Sequence, residues 1–266
     1  MEPLPGFAAF ARLVQQLIGL DLTAYNPRQL YRRLRGQLER VGCRSLEEYG
    51  LLLRRSPEQV EALRDFLTIN VSEFFRNAPF WRTLADRILP ELLAAGNTRI
   101  WSAGCSIGAE PYSLAILLEE AMAPATAHII ATDVDEKALA EARTAIYPSS
   151  LLHEVSPARL QRFFTPAGPD RWQVKEEVRR RVQLRRHDLL QDPYPIGLNL
   201  IVCRNVIIYF NEEAKQRVYR RLAQSLRPGG ILFVGATEAI LSPAQFGLSP
   251  AGPFFYRRDA RPTGSS

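Results

Sequence analysis

Through the first 70 residues, apolar positions recur at three- and four-residue spacing, the period of helices that bury one face. Phe7 to Ile18 has this spacing. Asn26-Pro27 then supplies a cap and a first-turn proline, predicting a helix from about Pro27 to Val41. Its apolar stripe is Leu30, Leu34, Leu38 and Val41, with Tyr31 alongside, while Arg28, Arg32, Arg33, Arg35 and Arg40 fall on the opposite half. Ser45-Leu-Glu-Glu has the form of a capping box, and Ser56-Pro57-Glu58 opens a fourth helix toward Ile69. The segment reads as short helices and little else.

From about Thr98 the period changes. Thr98–Ala103 predicts a strand, followed by a glycine-containing turn and a helix over Pro111–Ala121. His128–Thr132 is a second strand ending in Asp133, and Glu136–Ile146 a second helix. Leu198–Cys203 is a third apolar strand; the helix Glu212–Leu226 leads through Arg-Pro-Gly-Gly to the strand Ile231–Gly235. Phe254–Arg257 is placed at a sheet edge, Pro79–Leu93 is one more helix, and the polar tail from Asp259 is expected to fray. The alternation predicts a doubly wound, mostly parallel sheet. Between Tyr147 and His187 lies a stretch too long for an unstructured loop. Its alternating pieces, Trp172–Val174 and Arg181–Leu184, predict a small inserted β subdomain at about 148–186.

Composition narrows the classes. The 266 residues are 46% hydrophobic and 23% charged, which suits a globular chain and excludes collagen, coiled coil or disorder throughout. No apolar run reaches the ~18 residues of a membrane span, and the N-terminus does not read as a secretory signal. Cys43, Cys105 and Cys203 lie far apart without metal-ligand spacing, so reduced thiols and no metal are expected. The net charge of +6 suits nucleic acid or an acidic protein. Of the 34 basic residues only Lys137, Lys175 and Lys215 are lysine, and six arginines stand against the single acid Glu39 between Arg28 and Arg44. A broad lysine-and-aromatic surface for nucleic acid is missing.

Candidate chemistry gathers where strands end. Gly104 and Gly108, in the turn Trp101–Glu110, either admit a ligand to the backbone or only tighten the connection; without GxGxxG, a dinucleotide is disfavoured. Asp133 can take both hydroxyls of a ribose or cap the next helix, although Asp135 looks like that cap and leaves Asp133 free. Asp188, ahead of Leu189-Leu190, can accept from an adenine amino group while the leucines pack on the ring. Arg204 and Asn205 put polar side chains directly after a buried strand. Tyr209 follows one turn later, as a core residue or a functional one. Asn70-Val-Ser-Glu-Phe-Phe-Arg76 joins the two halves, and Arg76 calls for an anionic or polar partner.

In order along the chain come NVSEFFRN, IWSAGCS followed by EPYSLA, ATDVD, CRNVIIYF and PGGILFVGATE. Together they make the chain, as far as about Tyr256, strongly resemble the CheR family, S-adenosylmethionine-dependent methyltransferases of chemoreceptor glutamates. The resemblance implies a class I methyltransferase-like doubly wound sheet with the small β insert, residues 73–266. A helical receptor-docking domain, residues 1–72, precedes it. Carried over residue by residue, the family pattern implies cofactor contacts from Asn70, Ser72, Arg76, Glu110 and Asp133, beside Gly104 at the turn. It adds Asp188 and Leu189 for adenine, and Arg204 and Asn205. Arg76 and Tyr209 would act on the incoming carboxylate, and Arg28, Arg32, Arg33 and Arg35 would dock on acidic methylation helices of the receptor's cytoplasmic bundle. A cytoplasmic monomer, acting without metal, nucleic acid or membrane insertion, is expected. The chain departs from the family at Ile107, where Thr is usual, at Ala109 for Glu, and at Asn199 for Asp. These departures motivate the alternative of a degenerate member that binds cofactor or receptor without efficient turnover.

Overall fold

The computed structural model describes residues 4–96 and 98–260; the last six residues of the polar tail lie outside the described residues. Contacts divide the chain into two units. One holds residues up to Ile69 together with Val206–Val218, the other Asn70–Asn205 and the stretch from Tyr219 onward. The division falls at Ile69 rather than at residue 72, and a segment from late in the chain joins the helical unit.

The helical unit contains α1 (Phe7–Ile18), α2 (Pro27–Val41), α3 (Leu46–Arg55) and α4 (Pro57–Leu67). Local signals start three of them. The Asn26 side chain accepts from the N–H groups of Arg28 and Gln29, Ser45 from Glu48, and Ser56 from Gln59. The box at Ser45 closes one residue early, since the Glu48 carboxylate accepts from Arg44 N–H at 2.7 Å. Leu30, Tyr31, Leu34 and Leu38 of the predicted stripe are buried, with Phe10, Leu13, Val14, Tyr49, Leu53 and Leu63. Val41, at the helix end, is only half-buried. Gln37, unanticipated in this core, donates to the Tyr49 phenol at 2.9 Å, which offsets its burial. Residues 207–211 are stitched to 23–26. Asn26 N–H donates to the Tyr209 carbonyl and Asn211 N–H to that of Ala24, both at 2.8 Å, and the rings of Tyr25 and Phe210 meet edge-on at 5.8 Å.

The second unit opens with α5 (Ala78–Thr83) and α6 (Leu89–Ala94), separated by a π turn at Leu84–Ile88 where one helix was expected. Pro90 has no N–H to donate and crowds the carbonyl one turn back, which opens the preceding turn. There follow β1 (Arg99–Ala103), α7 (Ala109–Glu120), β2 (His128–Asp133), α8 (Glu136–Thr144), β3 (Ile146–Pro148) and α9 (Pro157–Phe163). Next come β4 (Phe164–Pro166), β5 (Arg171–Val174), α10 (Glu176–Arg179), β6 (Val182–Arg186) and β7 (Leu198–Cys203). The last elements are α11 (Glu212–Ser225), which starts within the helical unit's segment, then β8 (Leu226–Val234), β9 (Leu248–Gly252) and β10 (Phe255–Arg258).

The seven-stranded sheet has the order β6-β2-β1-β7-β8-β10-β9. The first five strands are parallel and β10 runs antiparallel to both its neighbours, the doubly wound arrangement expected. The chain starts at β1, winds outward to β6, and returns to β7 on the other side of β1, so the order reverses between β1 and β7. β7 is buried along its whole length, as an unalternating apolar run requires.

Two strand assignments change. The stretch around Arg181–Leu184 is not part of the insert: Val182–Arg186 pairs in parallel with β2, from Ile129↔Val182 to Asp133↔Arg186. The insert is the antiparallel sheet β3-β5-β4. β9, containing Pro250, was not anticipated; it lies at the edge, where a missing N–H costs no ladder bond. β10 therefore lies one strand inside the edge.

Candidate functional site

Glu110, Asp133, Asp188, Arg204 and Asn205 all come at or just beyond the carboxyl ends of β1, β2, β6 and β7. Open α/β sheets bind ligands at such ends, beside the reversal of strand order. Of the eight non-glycine residues with positive φ among the described residues, four are Phe75, Asn77, Ser106 and Asn205, all within these loops or the Asn70–Asn77 segment. Backbone strain of this kind concentrates at functional sites.

The turn after β1 is fixed by its neighbours. Gly104 and Cys105 N–H groups share the Thr132 carbonyl at 2.8 Å, and Gly104 takes a φ of 81°. Gly108 is explained by packing: a Cβ there would approach Ala142 and the Tyr147 hydroxyl to 2.9 Å. Of the two glycines, only Gly104 remains for close ligand approach. Ser106, at φ 49°, donates its N–H to the Asp133 carboxylate at 2.7 Å and its hydroxyl to Asn70 at 2.9 Å.

Asp135 is the cap, accepting from Lys137 and Ala138 N–H groups, and it also takes the Asn70 amide at 2.7 Å. Asp133 is not free as expected. Its second oxygen accepts from Asp135 N–H at 3.0 Å, so the carboxylate links two loops and keeps further lone pairs for a ligand. Burial pushes its pKa up, opposed by these backbone donors. Asn70 thus bridges both loops, whereas Ser72 makes no side-chain hydrogen bond within the described residues. Phe74 and Phe75 are core. Among the described residues Arg76 has loose partners, the Val71 carbonyl at 3.3 Å and Glu73 at 4.0 Å.

Arg204 is 5% exposed. It donates to the Arg76 carbonyl and the Asn77 side chain at 2.8 Å and stacks 4.7 Å from the Phe233 ring centre. Its guanidinium lies 3.7 Å from Glu110, which also accepts from Ser102 at 2.8 Å. Burial pushes the Glu110 carboxyl up to about 7 against the pull of Arg204 and Ser102. The Arg204 Nε is buried with no partner. Asn205 donates its N–H to Glu238 at 2.6 Å, and Gly235 donates to the same oxygen at 2.9 Å. A Cβ on Gly235 would come within 2.4 Å of that carboxylate. Sequence reasoning passed over Glu238; the available signal was an acid three residues after a glycine that ends a buried strand. Asp188 is buried and orders its own turn, accepting from Leu190 N–H and the Gln191 side chain, both at 2.7 Å. Leu189 beside it is buried.

Tyr209 belongs to the helical unit, held by the stitching at Asn26. Of the arginines on α2, Arg28, Arg32, Arg35 and Arg40 are exposed. Arg33 departs from the expected basic face: it lies 4.6 Å from the Phe66 ring centre and donates to the Phe66 carbonyl. Burial pushes its guanidinium down, while the Tyr209 and Tyr25 phenols push it up. Arg40 bonds Gln37 and also reaches the Phe66 ring, at 5.4 Å.

Comparison with known proteins gives two family matches. Residues 5–68 match the all-alpha domain of CheR methyltransferase, and residues 70–253 match its SAM binding domain. A chemotaxis protein methyltransferase of Listeria innocua is 40% identical over 249 residues, covering 93% of this chain and 95% of the relative. Chemotaxis protein methyltransferase 1 of Pseudomonas aeruginosa is 36% identical, covering 88% and 90%. The chemotaxis protein methyltransferase of Salmonella typhimurium is 34% identical, covering 87% and 83%.

Proposed function

This chain belongs to the CheR methyltransferase family, and on that premise we propose that it methylates glutamate side chains of chemoreceptors, giving glutamyl methyl esters for sensory adaptation. The observation that carries this reading is the polar cluster at the strand ends. The Asp133 carboxylate ties two of the loops there, and Glu110 stands beside a buried arginine whose Nε lacks a hydrogen-bond partner. S-adenosylmethionine carries a sulfonium, an ammonium and a carboxylate, so a site with both signs of charge suits it. Asp133 would hold the ribose, Asp188 and Leu189 the adenine, and Glu110, Arg204 and Asn205 the amino-acid end, with Gly104, Asn70 and Ser72 shaping the turn.

When bound, the cofactor supplies a methyl group activated by the sulfonium. A glutamate carboxylate, with a pKa of about 4.3, is already the nucleophile at neutral pH, so no general base is needed. The protein's task is to align the carboxylate and strip it of water. Arg76 and Tyr209 are assigned to that carboxylate on the family pattern. Tyr209→Phe is expected to leave S-adenosylmethionine affinity unchanged and lower kcat about tenfold, the worth of one hydrogen bond to a charged group. A drop in affinity without a change in kcat would reverse this assignment.

Burial also sets a pH dependence. A cationic ligand favours the Glu110 carboxylate, so binding draws down a pKa of about 7 and releases part of a proton. Affinity for S-adenosylmethionine should therefore rise from about pH 6 to about pH 8, and Glu110→Gln should flatten the profile. Calorimetry in buffers of different ionisation enthalpy measures both the slope and the proton; an affinity that falls with pH contradicts the sign.

The helical N-terminal domain is assigned to docking on acidic helices of the receptor's cytoplasmic bundle, through Arg28, Arg32 and Arg35. Among the described residues, no helix is long and apolar enough to cross a membrane, and action by a cytoplasmic monomer is part of the proposal. Replacing the three arginines with Ala should raise the apparent KM for receptor several-fold at low salt. The penalty should shrink as salt rises, because screening already weakens the native protein. Cofactor affinity should not change, and equal receptor kinetics at low salt would remove the docking role. The central test is incubation with tritiated S-adenosylmethionine and a chemoreceptor cytoplasmic fragment. Base-labile label supports the proposal; intact cofactor binding without label favours the degenerate alternative.

A further inference from the structure

We propose that Arg221 is a positioning residue for base recognition: it holds the turn 188–192 in the shape that presents the Asp188 carboxylate, and so sets a preference for an amino-bearing purine. The proposal rests on the reading of Asp188 as acceptor for the adenine amino group. Arg221 projects from α11 and donates to the carbonyls of Leu189 at 3.0 Å, Leu190 at 3.4 Å and Asp192. Its guanidinium also lies 3.9 Å from the Tyr194 ring centre, and the Tyr194 phenol donates to the Leu189 carbonyl at 2.7 Å.

These acceptors are neutral backbone oxygens, presented together only while the turn keeps this shape. A planar fork of donors can serve several of them at once, which a lysine ammonium cannot do with the same geometry. The far end of the turn is clamped separately. His187 Nε2 lies 3.1 Å from the Pro193 carbonyl, and its ring meets Trp101 and Tyr194 edge-on, at 5.3 and 5.4 Å. The Asp188 carboxylate takes its orientation from the turn itself, because it is held by Leu190 N–H and Gln191. If the turn relaxes, the carboxylate loses its aim, and misplacement by about 1 Å is enough to forfeit a directed hydrogen bond.

The test compares S-adenosylhomocysteine with S-inosylhomocysteine, in which a ring carbonyl replaces the amino group, by calorimetry on the full chain. The native protein should prefer the adenine compound at least about tenfold, since the carboxylate meets a carbonyl in the other. Arg221→Met should reduce that preference to within about threefold, chiefly by weakening the adenine compound, and Arg221→Lys should fall between the two. A merely structural role would weaken both ligands equally and keep their ratio. Full preference retained in a folded Arg221→Met or Arg221→Lys protein overturns the proposal for Arg221 while leaving Asp188 in place. Absence of any preference in the native protein overturns the adenine reading of Asp188, and the role of Arg221 with it.

Discussion

Asp133→Ala is expected to weaken S-adenosylmethionine binding by about ten- to a hundredfold, the worth of roughly 1.5–3 kcal/mol in hydrogen bonds to a charged acceptor. Two effects add in the same direction. Ribose hydroxyls lose their acceptor, and the Ser106 and Asp135 N–H groups lose the carboxylate that ties the β1 and β2 loops together. The fold should survive, because α8 keeps its cap on Asp135 and β2 keeps its partners on both sides. Asp133→Asn, which retains one carbonyl oxygen, should recover part of the affinity. Calorimetry paired with a thermal melt decides the matter: a folded Ala variant with native affinity would take Asp133 out of the site.

Arg204→Met should cost stability in a way that depends on pH. Removing one member of a buried ion pair destabilises by about 3–5 kcal/mol when the other charge stays behind. Glu110 can escape by keeping its proton, and without Arg204 its pKa, already about 7, rises further. The folded state then binds a proton that the unfolded state has released above about pH 4.3. Stability from this group is complete below that pH and is lost as pH rises through the folded value. The deficit of Arg204→Met should therefore widen from about pH 6 to about pH 8, and Glu110→Gln in the same chain should narrow it at the higher pH. Denaturant melts at the two pH values measure this. A deficit of equal size at both would assign the loss to the stacking on Phe233 and to the Arg76 and Asn77 hydrogen bonds, not to the charge on Glu110.

The site was legible in the sequence to the extent that topology alone makes it. In a parallel sheet every strand ends on the same side, so Asp133, Arg204 and Asn205 could be placed together once their strands were recognised. Glu110 was reached only through the family pattern, and its pairing with Arg204 was not visible. Glu238 was missed because a lone glutamate after a glycine looks like any surface acid until two backbone N–H groups are found pointing at it. Arg33 misled for the opposite reason. Helical period places it on the polar half, but a long side chain can turn back to an aromatic ring and a carbonyl on another helix.

What the sequence determined by itself is local: the start and end of α2 at Asn26-Pro27 and Val41, the limits of β7, the cap at Asp135, and the alternation that makes a doubly wound sheet. These depend on hydrogen bonds and apolar spacing within four or five residues, so neighbouring side chains carry the information. Only the tertiary structure decided that β6 pairs with β2, that β9 forms the edge, that Tyr209 is seated with Asn26 in the helical unit, and that Arg221 clamps the Asp188 turn. All of these but β9, whose partner β10 follows it directly, rest on partners far apart in the chain, as does the bond from Arg204 to the Arg76 carbonyl, 128 positions away. Strand alternation and an arginine's charge are compatible with many such partners, and packing of the whole core selects one.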